Sequence, residues 1–317
     1  MYFPFLRGKQ FELIALRELS EFISDTSLIS PIIEPVKETT VTLEKTISAL
    51  ISMEQNFNLI FNPKVGDFGS SEGMQEILRI TESTIHDYNN YQPTFIITEK
   101  TRIGRLSSFI DSNSLTNLSI ICQGIPSTEE ELFAFLETHD IKYIIIDEGI
   151  SSKRLIRNLK KRDIDKVTLS DPFKALKRNV DYIETDNEFF SDEHLFFEED
   201  GYVGFSDYLT IGQEYSDSGF LPYAVAIHLT YPNVDNEFWI RHFVSDNNED
   251  NTDVAGKFGE ALRKLITFIQ EERLDTIACR EFSDMYKTEK YPGLGTIKKL
   301  SIKHHIELVY NFLNTKK

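Results

Sequence analysis

Leu118-Ser119-Ile120-Ile121-Cys122, a helical run from Ser127-Thr128-Glu129-Glu130-Glu131 to Thr138, and Tyr143-Ile144-Ile145-Ile146 read as strand, helix, strand. Ser127 and Thr128 ahead of three acids form a capping sequence, with carboxylates at the positive end of the helix dipole. An alternating strand leaves one face wet. Four apolar residues in succession, as at 143–146, instead need burial on both faces, the condition inside a parallel sheet covered by helices.

The unit repeats in both directions. Strand-like runs stand at 2–6, 30–36, 57–61, 94–98, 118–122, 143–146 and 167–169, with helical runs between them at 11–23, 43–53, 72–88, 105–111, 127–138 and 153–162. Successive strand starts lie about 24 to 37 residues apart, the length of a βαβ unit. A closed barrel and an open doubly wound sheet both accommodate this rhythm. Tyr202-Val203-Gly204-Phe205 supplies an eighth strand, and Arg7-Gly8-Lys9 has one glycine where a dinucleotide fingerprint needs three. The expectation is an α/β protein, (β/α)8 TIM-barrel-like over 1–219, with a C-terminal α+β extension over 220–317 that packs on or closes the barrel. In the extension, 224–231 and 238–244 read as a hairpin. Phe258, Leu262, Leu265, Ile266 and Ile269 stripe a helix over 255–272, and a final helix is expected near 303–313.

The 317 residues carry 34 Lys and Arg against 51 Asp and Glu, a net charge of −17, which disfavours bulk nucleic-acid binding. Cys122 and Cys279 lack a CxxC or Cys/His companion, so a reduced, cytoplasmic protein is expected. No apolar run approaches the roughly eighteen residues that cross a bilayer, and no membrane partner is expected. The first seven residues also have the wrong order for a secretory signal. Charge is uneven: ten basic residues fall between Lys153 and Arg178, then twelve acids and no Lys or Arg from Asp181 to Asp217. On the basic helix, Arg154, Arg157 and Lys161 are the expected docking face for a separately encoded protein partner.

In a parallel barrel, chemistry collects at the carboxyl ends of the strands. Those ends carry Arg7 and Lys9, Glu34 and Lys37, Asn62 and Lys64, Glu99 and Lys100, Gln123, Asp147 and Glu148, Asp171, and Asp207 and Tyr208. Carboxylates facing cations around one rim suit a phosphorylated small molecule, a nucleotide or a peptide end, together with acid–base chemistry. Glu34 and Asp207 are the expected acid–base pair and Arg7 and Lys9 the anion clamps. Lys37, Glu99, Asp147, Asp171 and Tyr208 are further ligand contacts. Asp147-Glu148 leaves Mg2+ open as a cofactor, without a third fixed ligand. His86, His139, His194, His228 and His242 form no HxH, HExxH or HxxxH pair, and no GxSxG, Walker or kinase signature occurs. Zinc, elbow-serine and P-loop chemistry therefore lack support.

Four segments carry a family resemblance. They are Tyr2-Phe3-Pro4-Phe5-Leu6-Arg7-Gly8-Lys9 followed by Glu12, Ala15, Leu16 and Leu19; Pro31-Ile32-Ile33-Glu34; Ser206-Asp207-Tyr208; and His304-His305. Together they resemble the beta-family proteins, a group found in bacteria, phages and prophages. Ile297-Lys298-Lys299 stands where a tryptophan-bearing segment would complete the likeness. The resemblance implies a phage-conflict or defence setting with a partner encoded nearby, and its markers include Arg7, Lys9, Glu34 and Asp207. If the last helix packs over the barrel mouth, His304 or His305 joins the rim. The chain would then be a ligand-binding hydrolase, or a scaffold or ligand sensor docking an effector. Arg7-Gly8 and Glu34 are also similar to phosphodiesterase barrels, but those place a histidine where Leu6 stands.

Overall fold

The computed structural model describes residues 1–69, 73–86, 88–217 and 222–316. In chain order it forms β1 (Phe5–Leu6), α1 (Gln10–Ser20), β2 (Ile32–Ile33), α2 (Val41–Ser52), β3 (Phe57–Ile60) and α3 (Gly73–Thr84). Then follow β4 (Tyr91–Ile97), α4 (Ile103–Ser112), β5 (Leu118–Cys122), α5 (Glu129–Thr138), β6 (Ile141–Asp147), α6 (Lys153–Lys160) and β7 (Asp165–Ser170). The remainder comprises β8 (Asn187–Ser191), α7 (Glu193–Phe196), β9 (Gly204–Asp207), β10 (Ala226–Pro232), β11 (Phe238–Val244), α8 (Val254–Glu272), α9 (Ile277–Lys287) and α10 (Leu294–Thr315).

The first seven strands and β9 make one eight-stranded sheet in sequence order, and all its pairs are parallel. Closure comes just ahead of β1. Tyr2 bridges Phe205, the Phe3 N–H donates to the Phe205 carbonyl at 2.8 Å, and the Phe205 N–H donates to Met1 at 3.1 Å. The fold is the (β/α)8 TIM-barrel-like one expected. Its first two strands are short because Pro4, Pro31 and Pro35 flank them and cannot donate to a ladder.

Strand side chains alternate between two buried layers, so the apolar runs are unbroken. Phe3, Phe5, Ile32, Ile60, Ile96, Ile121, Ile145, Val167, Leu169 and Tyr208 fill the barrel. The opposite parity, including Tyr2, Leu6, Ile33, Phe95, Ile120, Ile144 and Phe205, packs outward against the helices.

A second, antiparallel sheet has the order β10-β11-β8. Two of its strands are the expected hairpin; β8 comes from the acidic stretch before β9. The expected helix at 255–272 is α8, capped by the Asp253 carboxylate, which accepts the Gly256 N–H at 2.9 Å. Two helical features differ from the sequence reading: α9 was not expected, and α10 begins at Leu294 rather than near 303. Helix α10 is buried around much of its circumference, from Ile297 through Ile306, so it has no amphipathic stripe to read. It lies against α1, where Lys299 and Lys303 each meet Glu18 at 2.9 Å. Contacts thus cross the 219/220 division, among them β8 on β11 and α10 on α1. No helix among the described residues is long and apolar enough to cross a membrane.

Candidate functional site

Continuing the inner rows two residues past each apolar plug residue leads from Phe5 to Arg7 and from Ile32 to Glu34. The same step leads from Ile60 to Asn62, Ile121 to Gln123, Ile145 to Asp147 and Leu169 to Asp171. Tyr208 closes this ring from the end of β9. Glu34 is fully buried and paired: one oxygen meets the Arg7 guanidinium and the other accepts the Lys64 N–H at 2.7 Å. Arg7 lies over the Phe5 and Tyr208 rings at 5.3 and 5.2 Å and also donates to the Gln213 carbonyl. Its Nε is buried with no hydrogen-bond partner among the described residues.

The segment after β9 doubles back across this ring. Leu209 and Gly212 adopt φ of 58° and 83°, left-handed geometry that glycine tolerates freely and leucine only under constraint. The turn delivers Gln213 into the mouth. Its N–H donates to Asp171 at 2.9 Å, and its carboxamide NH2 to Asp147 and the Tyr208 hydroxyl at 3.2 and 3.3 Å. Gln123 donates to the same Asp147 oxygen and to Tyr208, both at 3.2 Å. Burial pushes the Asp147 carboxyl up against hydrogen bonds from Gln123, Ile150, Gly149 and Gln213. Burial also raises Asp171, against the Gln213 and Phe173 amides, with the Asp207 charge adding to the rise. Tyr208 is raised by burial first and by the Asp147 charge second.

The remaining expected clamps hold this strap. Lys9 donates to the Ser216 carbonyl at 2.5 Å and sits over the Tyr215 ring at 4.5 Å. Lys37 pairs with Asp217 at 2.9 Å, and the Tyr215 hydroxyl donates to the same carboxylate at 2.6 Å. Arg7, Lys9 and Lys37 do converge, but on the chain's own loop.

Asp207, His304 and His305 lie elsewhere. Asp207 shares strand parity with outward-facing Phe205, whereas Tyr208, one residue on, faces inward. The Asp207 carboxylate accepts the Tyr2 hydroxyl at 2.8 Å and the Leu209 N–H at 2.9 Å, and meets His305 Nε2 at 3.2 Å. His305 Nδ1 pairs with the Thr230 hydroxyl at 2.9 Å. His304 bonds the Thr230 carbonyl at 2.6 Å and Thr276 at 2.8 Å, with Cys279 Sγ at 3.4 Å. This buried chain runs between β9, α10 and the second sheet. The expected pair is therefore split by the barrel wall, with Glu34 inside and Asp207 outside. The histidines back the wall rather than cover the mouth.

Other expected residues are more dispersed. Glu99 is exposed on the loop after β4. Asp147 faces inward while Glu148 takes the Tyr202 hydroxyl and lies 4.0 Å from Lys160, so the adjacent acids diverge and do not share an ion. Among the described residues no group of three His, Cys, Asp or Glu is placed to hold a metal. On α6, Arg154 is 3.2 Å from Glu129; Arg157 and Lys161 are exposed, with no ion pair among the described residues. Gln213 is the site residue that sequence reasoning missed. Gly212 was its one faint signal, since a turn there can return the chain over the strand ends.

Compared with known proteins, the chain matches no family model, no curated protein and no solved structure.

Proposed function

We propose that the barrel mouth binds a small phosphorylated molecule or nucleotide, with Asp147 and Asp171 as its acid–base carboxylates, in a cytoplasmic protein of a bacterial phage-conflict module. The seat of Gln213 carries this reading. One neutral loop residue engages Arg7, Asp147, Asp171 and Tyr208 through reversible hydrogen bonds, so a ligand with equivalent donors and acceptors would replace it at little cost. Burial that raises both carboxyls above the usual carboxylate range supports a proton-transfer role for either one. Glu34 is bound on both oxygens and serves to position Arg7. The phage-conflict setting rests on the resemblance of the four segments to beta-family proteins.

The test is plaquing efficiency on a phage-sensitive bacterium expressing the protein. Asp147→Asn and Asp171→Asn should each restore plaquing by tenfold or more while the circular-dichroism melt stays within a few degrees of the parent. Protection equal to the parent's in both variants would remove the mouth from the mechanism. A second reading, docking of a protein partner, is favoured by Arg157 on α6 and Lys161 at its C-cap, exposed and with no ion pair among the described residues. It requires Arg157→Glu with Lys161→Glu to abolish protection with the mouth intact.

A further inference from the structure

A cavity of about 470 Å3 opens beside the mouth, at the carboxyl ends of β3 and β4. Asn62 joins it to the inner ring, its carboxamide bonded to the Ile96 N–H and carbonyl at 2.8 and 2.9 Å. Lys64, Lys100, Arg102 and Arg105 line it, and no acid does among the described residues. None of these four side chains has an ion pair or side-chain hydrogen bond among the described residues. In a chain with 51 acids to 34 Lys and Arg, four cations around one cavity with no carboxylate among its described lining residues are a local concentration of positive charge.

Two of them are placed where the backbone adds to that positive potential. Arg102 is the N-cap of α4 and Arg105 lies in its first turn, at the positive end of the helix dipole. The other barrel helices treat this end differently. Helices α1, α2, α3 and α5 carry Glu12, Glu44, Glu76 and Glu129–Glu131 in their first turns, and α6 is capped by the Ser152 hydroxyl. Among the described barrel helices, α4 alone has neither a capping side chain nor a first-turn acid.

We infer that this cavity is a polyphosphate subsite, taking the di- or triphosphate tail of the ligand whose remainder enters the mouth. A lone phosphate would engage two of the four cations, whereas adjacent phosphates match the set. The inference rests on the mouth being a site for a phosphorylated ligand, and it names that ligand's class.

The probes are inorganic pyrophosphate and tripolyphosphate, titrated into the full-length protein by calorimetry. Both should bind more tightly than orthophosphate, and affinity should fall as salt is raised. Lys100→Gln with Arg105→Gln should weaken pyrophosphate by about tenfold or more and melt at or above the parent, since repulsion is relieved. Arg157→Gln with Lys161→Gln makes the same charge change elsewhere and should leave the affinity alone. An equal loss in that control would reduce the effect to net charge and overturn the subsite. So would absence of pyrophosphate binding in the parent, a result that needs no variant to fold. Failure of the mouth reading shows in plaquing, and failure of the subsite shows in the titration.

Discussion

Glu12 is 4 % exposed and accepts the Arg7 N–H at 2.5 Å. Burial outweighs that bond and the charges of Lys9, Arg7 and Lys298, and lifts its carboxyl from 4.5 to about 7. Between those values the folded protein holds a proton that the unfolded chain has released. This contribution is therefore full below the unfolded value, declines as pH rises toward 7, and is flat above it. The decline is on the order of 3 kcal/mol. Glu12→Gln keeps an acceptor for the Arg7 N–H and cannot ionise. Its urea midpoint should match the parent near about pH 5 and exceed it near about pH 8; identical pH slopes would refute the assignment. The residue types at the strand ends were legible in the sequence, and Arg7, Glu34, Asp147, Asp171 and Tyr208 do share the ring. Their roles were not legible, because Arg7 and Glu34 satisfy each other and only the surviving partners reveal which acids stay available.

Among the elements, α10 shows how packing overrides local pattern. Gly295 lies where a Cβ would run into the Phe11 ring on α1, so the two helices approach only with glycine there. Gly259 on α8 has open space around its Cβ position. Gly295→Ala should destabilise by about 1–3 kcal/mol through overpacking. Gly259→Ala should stabilise by up to about 1 kcal/mol through helix propensity. Thermal melts of the two variants should move in opposite directions; a harmless Gly295→Ala would mean that α10 is not held against α1. The same burial explains the sequence misreading of α10, whereas α8, with one dry face, was placed within a residue. The eighth barrel strand was found two residues early, as Tyr202 and Val203 continue the run of β-forming residues up to Gly204. Strand β8 was missed because Asn187–Ser191 is short and set among acids, and becomes a strand only by pairing with β11.

For the whole molecule, one core cluster spans the barrel wall and the extension, while the extension also holds a second cluster of its own between β10, α8 and α9. Tyr2, Leu6 and Phe205 from the barrel wall pack in the same buried cluster as Phe238, Ile302, Ile306 and Val309. The polar chain from Tyr2 through Asp207 and His305 to Thr230 ties the same surfaces. Residues 1–219 by themselves would expose this face and leave β8 unpaired. Scanning calorimetry of the full chain should show a single transition, and a 1–219 fragment should lack the parent's near-ultraviolet dichroism. Two resolved transitions, or a fragment with native dichroism, would show that the units are independent. The charge of −17 is likewise a property of the whole that says little about any one surface: among the described residues, every charged side chain lining the cavity at β3 and β4 is a cation.

The sequence by itself determined the barrel. Apolar runs without alternation demand strands covered on both faces, and their spacing leaves room for one helix between neighbours. Only the tertiary structure decided the site. A strand's side chains change face at every residue, so Asp207 and Tyr208, adjacent in the chain, end on opposite sides of the wall. Nor does any local rule tell a loop glutamine to fold back into the mouth, because its partners come from strands far apart in the chain and meet only when the barrel closes.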